Sequence, residues 1–159
     1  MRAVTAQPAS PGALFPLVPR AGRGRRAGPE RAGVCGYDPS MAGEPQADCL
    51  FCKIVAGDVP ATVVHETETT LAFRDINPQA PTHVLVIPRA HYADAAALTD
   101  AEPTVAADVV RAAGRVAEQE GAVESGYRIV FNTGAGAGQT VFHAHAHVLA
   151  GRGLNWPPG

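Results

Sequence analysis

The chain has 159 residues, 46% hydrophobic and 18% charged, with a formal net charge of −2. That length suits one ordinary domain, and no apolar run approaches the roughly 18 residues of a membrane span. The charge is unevenly split: residues 1–40 hold six arginines against Glu30 and Asp38, while residues 41–159 hold seven Lys/Arg against thirteen Asp/Glu. An acidic body of this kind argues against nucleic acid as a partner, which needs a basic footprint.

Residues 1–40 also contain six prolines and six glycines among scattered apolar residues. Such a composition buries too little surface to offset chain entropy, so a disordered extension is expected. It lacks the continuous apolar core of a secretory signal, and its prolines oppose the amphipathic helix of a transit peptide. Met41 stands just before the ordered pattern and is the expected true start, with the upstream stretch a misassigned one. The three cysteines, Cys35, Cys49 and Cys52, do not suit a secreted disulfide scaffold, and a cytoplasmic location is expected. Cys49-Leu50-Phe51-Cys52 is half of a zinc-ligand pattern with no second cysteine pair; the same residues equally suit buried thiols.

From residue 48 onward the elements follow in order. Asp48 as N-cap and Gly57 as terminator frame a short helix over Cys49–Ala56. Val63–Glu66, Thr70–Asp75 and Val84–Ile87 read as strands rich in β-branched residues, and Ala93–Leu98 as one or two helical turns. Glu102–Glu120 is the long helix. Val105, Val109, Ala112, Ala113 and Val116 form one apolar stripe along it, Pro103 sits in its first turn, and Gly121 ends it. Tyr127–Asn132 and Thr140–Leu149 read as the last two strands. The pattern predicts an α+β domain, an antiparallel sheet packed by helices.

The final strand carries the chemistry. His143, His145 and His147 alternate with Ala144 and Ala146, so a period of two puts three imidazoles on one strand face. A row of rings, each with a donor and an acceptor, does not suit a dry core. Before it lies Asn132-Thr133-Gly134-Ala135-Gly136-Ala137-Gly138-Gln139-Thr140, where the glycines permit positive φ and close approach of backbone N–H groups to an anion. A metal clamp needs no such loop. Glycine loop, amide, hydroxyl and imidazoles together point to phosphoryl or nucleotidyl chemistry.

The run Gln139-Thr140-Val141-Phe142-His143-Ala144-His145-Ala146-His147-Val148 resembles the signature of the histidine triad (HIT) superfamily of nucleotide hydrolases and transferases. Phe73-Arg74-Asp75-Ile76-Asn77-Pro78-Gln79-Ala80-Pro81-Thr82-His83-Val84-Leu85-Val86-Ile87-Pro88 is similar to the Hint branch, the histidine triad nucleotide-binding proteins. So is the ending Gly151-Arg152-Gly153-Leu154-Asn155-Trp156-Pro157-Pro158-Gly159. The resemblance runs from about residue 48 to 159. It departs at Ala144 and Ala146, where the family usually has larger aliphatics.

The resemblance implies a HIT-like fold over residues 48–159, with one long and one short helix and a sheet extended across a homodimer. It also implies a purine nucleoside phosphoramidase that hydrolyses adenosine 5′-phosphoramidates to AMP and an amine. His145 would be the nucleophile, forming a nucleotidyl-histidine. His143 would orient it, and Thr140 or His147 would assist the leaving group. Asn132, Gly138, Gln139, Thr140 and His147 would hold phosphate. Asp75, with Ile76 beside it, would hold the ribose, and Leu50, Phe51, Ile54 and Val59 would form the purine slot. Without the resemblance, Phe51 and Ile54 read as core.

Certain relatives with this cysteine pair hold a structural zinc, here corresponding to Cys49, Cys52, His91 and His143; no cofactor is required for catalysis. Trp156 would reach the other subunit, and His83 falls near the site in a structural role. Dinucleoside polyphosphate hydrolysis, nucleotidyl transfer and a non-catalytic purine nucleotide-binding regulator stand as alternatives.

Overall fold

In the computed structural model the described residues are 42–158; the expected extension, the start at Met41, Cys35 and Gly159 lie outside them. In chain order they form α1 (Leu50–Ala56), β1 (Val63–Glu66), β2 (Thr70–Arg74), β3 (Thr82–Pro88), α2 (Ala95–Ala101), α3 (Pro103–Gln119), β4 (Arg128–Phe131) and β5 (Ala146–Ala150). The strands make a five-stranded sheet in the order β1-β2-β3-β5-β4, with antiparallel pairing throughout. No described helix is long and apolar enough to cross a membrane.

A strand that is apolar on both sides of its pleat must be covered twice. Strand β3 is buried along its whole length and has a layer on each face. Val84 and Val86 join Ala72, Ala146 and Val148 against the stripe Val109, Ala112, Ala113 and Val116 of α3. Leu85 and Ile87 turn the other way, with Leu71 and Phe73, onto Phe51 and Cys52 of α1. Alternation along β5 then puts His147 on the α1 face. Ala144 and Ala146 are fully buried in the α3 layer, at 1% and 0% exposure, so these two small residues let the backbone lie close to the helix.

Helix ends follow local chemistry with one correction. Gly57, at φ 84, closes α1 through N–H bonds to Ile54 and Lys53 carbonyls, as expected of a terminating glycine. Asp48 does not cap α1: the N-cap is Cys49, and no side chain bonds the helix start. At α2 the Asp94 carboxylate accepts from the Ala97 N–H at 2.8 Å. Asp94→Ala should therefore cost about 1 kcal/mol in urea denaturation; an unchanged midpoint would show that the cap contributes nothing.

The second correction concerns the histidine strand. It starts at Ala146, not Thr140, and pairs with Val86 and Phe131 there. Upstream, the Ala144 N–H donates to the Tyr92 carbonyl at 2.6 Å instead of to a neighbouring strand. The chain leaves the sheet at residue 145, so only His147 of the three histidines lies within a strand.

Candidate active site

Although the strand is short, the rings form one contiguous group. His145 and His147 have ring centroids 5.0 Å apart, and Phe51 presents an edge contact to both His143 and His145, at 5.8 and 5.3 Å. All the rings are shielded, His143 at 0% and His145 at 6% exposure. Phe51 is thus a core residue that also walls the central imidazole.

Hydrogen bonds assign the proton on each ring. The His145 Nδ1–H donates to the His143 carbonyl at 2.7 Å, which leaves the Nε2 lone pair free. The His143 Nε2–H donates to the Pro88 carbonyl at 2.9 Å, which leaves Nδ1 unprotonated. The Gln79 N–H donates to His83 Nδ1 at 3.0 Å, so His83 carries its proton on Nε2, 2.8 Å from His147 Nδ1. Accepting at Nδ1, His147 in turn carries its proton on Nε2. The Asn132 Nδ2, itself a donor, lies 3.5 Å from that nitrogen and makes no hydrogen bond to it in this tautomer.

Burial keeps these rings neutral. It is the largest cause in every one, lowering His83, His91 and His145 and pushing His143 and His147 down to about 4. Neighbouring imidazoles add to the effect at His143 and His147. An unfolded imidazole titrates near 6.5, so below that value the unfolded chain binds the proton that folded His147 refuses. Stability should be flat from about pH 8.5 to 7 and fall from about pH 6.5 toward 4. Urea midpoints across that range check it; a midpoint that rises on acidification contradicts it.

His143 faces a second cluster. Its Nδ1 lies 3.6 Å from Cys49 Sγ and 3.7 Å from Cys52 Sγ, and His91 Nδ1 lies 3.4 Å from Cys52 Sγ. The four donor atoms lie within 4.8 Å of one another. A tetrahedral ion with ordinary Zn–S and Zn–N bonds has S···N edges of about 3.6 Å, so the spacing fits one. The Gln46 N–H donates to Cys52 Sγ at 3.4 Å, a bond that favours thiolate, whereas burial raises that thiol. The donor set thus suits a bound cation better than two protonated thiols.

The glycine loop is a tight 3-10 turn, Ala135–Ala137, between Gly134 and Gly138, whose φ angles of 82 and 84 no side chain adopts cheaply. Gln139 is buried beneath it, and this corrects its expected role. Its Oε1 accepts from the Gly134 N–H at 2.8 Å, its Nε2 donates to the Ala93 and Val141 carbonyls, and its own N–H bonds Gly134. Gln139 therefore braces the loop and has no free amide for a ligand. Gly138 and Thr140 are exposed and Asn132 is half-buried.

On the far side of the rings, Asp75 Oδ1 accepts from the Asn77 N–H at 2.7 Å, and Oδ2 lies 3.4 Å from His83 Nε2. Ile76 is fully exposed, Leu50 is 44% exposed, and Ile54 and Val59 are half-buried, so an apolar rim stands open to solvent. Two open hollows, of about 510 and 340 Å³, are lined by none of the candidate site residues. His83 is the residue whose place in the site the sequence understated. Its position on β3, at even spacing from Leu85 and Ile87, puts it on the same sheet face as His147.

Comparison with known proteins agrees with this geometry. The HIT domain family matches residues 56–154. An uncharacterised HIT-like protein of Synechococcus elongatus is 46% identical over 112 residues, covering 70% of this chain and 97% of its own. A 14 kDa zinc-binding protein of Zea mays is 46% identical over 112 residues, covering 69% and 87%. Among solved structures, a HIT family hydrolase from Legionella pneumophila superposes with a TM-score of 0.68 at 51% identity, covering 70% of this chain and 100% of that one. Matched through the glycine loop and all three histidines, and alike in fold and sequence across nearly the whole length of these relatives, the chain belongs to the HIT family.

Proposed function

We propose that this chain is a purine nucleoside phosphoramidase of the Hint type, cleaving adenosine 5′-phosphoramidates to AMP and an amine. The observation that carries the reading is the 2.7 Å bond from His145 Nδ1 to the His143 carbonyl, because it leaves Nε2 as an unprotonated nucleophile. A solved relative named a HIT family hydrolase, from Legionella pneumophila, supports hydrolytic chemistry.

In this reading His145 Nε2 attacks the α-phosphorus in line. A P–N bond to His145 forms as the bond to the amine breaks; His147 Nε2–H hydrogen-bonds the departing nitrogen, which takes its proton from solvent. Water then attacks the nucleotidyl-histidine and gives a proton back to solvent, releasing AMP and leaving both imidazoles neutral as they began. Asn132, the loop backbone at Gly138 and the Thr140 hydroxyl hold the charged oxygens. Gln139 contributes by shaping that loop. Asp75 accepts from the ribose hydroxyls, and the purine lies on the rim of Leu50 and Ile76, above Phe51 and Ile54. Cys49, Cys52, His91 and His143 hold a structural zinc, as the name of the maize relative suggests; bound there, the metal ties α1 to the histidine segment. A homodimer, with the tail at Trp156 meeting the second subunit, completes the proposal.

A panel of AMP–amine conjugates and dinucleoside polyphosphates, followed by phosphorus NMR, tests the assignment. Release of AMP and amine is expected. Cleavage of the polyphosphates alone would move the chain to another HIT chemistry, and binding without turnover would make it a regulator.

A further inference from the structure

His83 is 5% exposed and has one ring proton with two acceptors near it. Its Nδ1 is occupied by the Gln79 N–H, so the proton sits on Nε2, 2.8 Å from His147 Nδ1 and 3.4 Å from Asp75 Oδ2. The two rings lie 5.1 Å apart at a 35° tilt. Asp75, His83 and His147 could also group around a cation. A nitrogen pair at 2.8 Å, however, is an ordinary hydrogen bond and already holds a proton.

We propose that His83 is a positioning residue that couples sugar recognition at Asp75 to the placement of the proton on His147. This rests on the phosphoramidase reading, in which Asp75 meets the ribose hydroxyls and His147 Nε2–H serves the departing amine. The His83 Nε2–H is hydrogen-bonded to His147 Nδ1, while the Asp75 carboxylate, 3.4 Å from the same nitrogen, pulls on it electrostatically. Hydroxyl groups donating to Asp75 weaken its hold on that proton, and the bond to His147 Nδ1 strengthens. His147 is then held with its own proton on Nε2, where the reaction uses it. The turn carrying Asp75 and Ile76 also provides the Gln79 N–H that fixes the His83 tautomer, so sugar, turn and imidazole form one connected unit.

The test uses the full chain, labelled with nitrogen-15, in two-bond proton–nitrogen spectra that report which nitrogen of each imidazole is protonated. In the unaltered protein, AMP should shift the His147 Nδ1 signal and 2′,3′-dideoxy-AMP should not. His83→Leu should give mixed tautomers at His147, while His83→Gln, whose amide N–H lies near the Nε2 position, should keep the Nε2–H form. Kinetically, His83→Leu should lower kcat by roughly tenfold or more, with KM within about twofold, and His83→Gln should recover most of it. Removing both sugar hydroxyls from the substrate should cost kcat in the unaltered enzyme but little more in His83→Leu. Equal shifts with both nucleotides, an unchanged His147 tautomer in His83→Leu, or additive kinetic penalties would overturn the proposal. If no AMP conjugate is turned over, the phosphoramidase reading fails, and the spectra still decide whether His83 positions His147.

Discussion

His145→Ala should lower turnover of an AMP–amine conjugate by at least roughly 10⁴-fold, equivalent to about 5.5 kcal/mol of barrier. On the proposed mechanism the loss is large because the substitution removes the attacking atom, and no neighbour can replace it. His143 has its Nδ1 turned to Cys49 and Cys52, and His147 has its Nδ1 engaged by His83. AMP should still bind, since Asp75, the glycine loop and His147 remain in place. Titration calorimetry with AMP, alongside steady-state rates, separates the two effects. Near-normal turnover in the variant would rule out covalent histidine catalysis. Some thermal destabilisation is expected as well, because His145 is buried against Phe51.

The second large effect concerns the metal cluster. Purified protein should contain about one zinc per chain, and the double variant Cys49→Ser, Cys52→Ser should contain none. Metal bound to the folded state alone adds to stability by mass action, about 4 kcal/mol when free zinc exceeds its dissociation constant a thousandfold. The variant should therefore melt well below the parent, and a chelator should lower the parent toward the variant while leaving the variant unmoved. Elemental analysis and thermal melts check both statements. Equal metal content in the two proteins would place the zinc elsewhere, and a chelator with no effect on the parent would remove its structural role.

Much of this arrangement was legible in the chain because the signals were local. Val63–Glu66 emerged with its limits intact, and the stripe on α3 buried Val109, Ala112, Ala113 and Val116 as its spacing requires. The fold class followed from strands, one long helix and strands again. The zinc-type donor set was foreseen only through the resemblance, since Cys49, Cys52, His91 and His143 come from three distant segments that the fold alone brings together.

What was misread depended on long-range partners. Period two suggested that Thr140–Leu149 is one strand. The segment before Ala146 is instead drawn out of the sheet by the Tyr92 carbonyl and by the Pro88 carbonyl, which holds the His143 ring. No local pattern encodes those bonds. Gln139 looked like a ligand for phosphate because an amide beside a glycine loop has that chemistry, yet burial turned both ends of the amide onto backbone. His83 was undervalued because its meaning lies in one nitrogen facing His147, 64 residues away in sequence.

The central claim, that His145 attacks phosphorus directly, is tested most directly by stereochemistry. Hydrolysis of a phosphorus-chiral AMP thiophosphoramidate in oxygen-18 water labels the product according to its path. Two successive in-line displacements each invert the centre, so the account predicts net retention. Net inversion would mean that water attacks the substrate itself and would contradict a nucleotidyl-histidine intermediate.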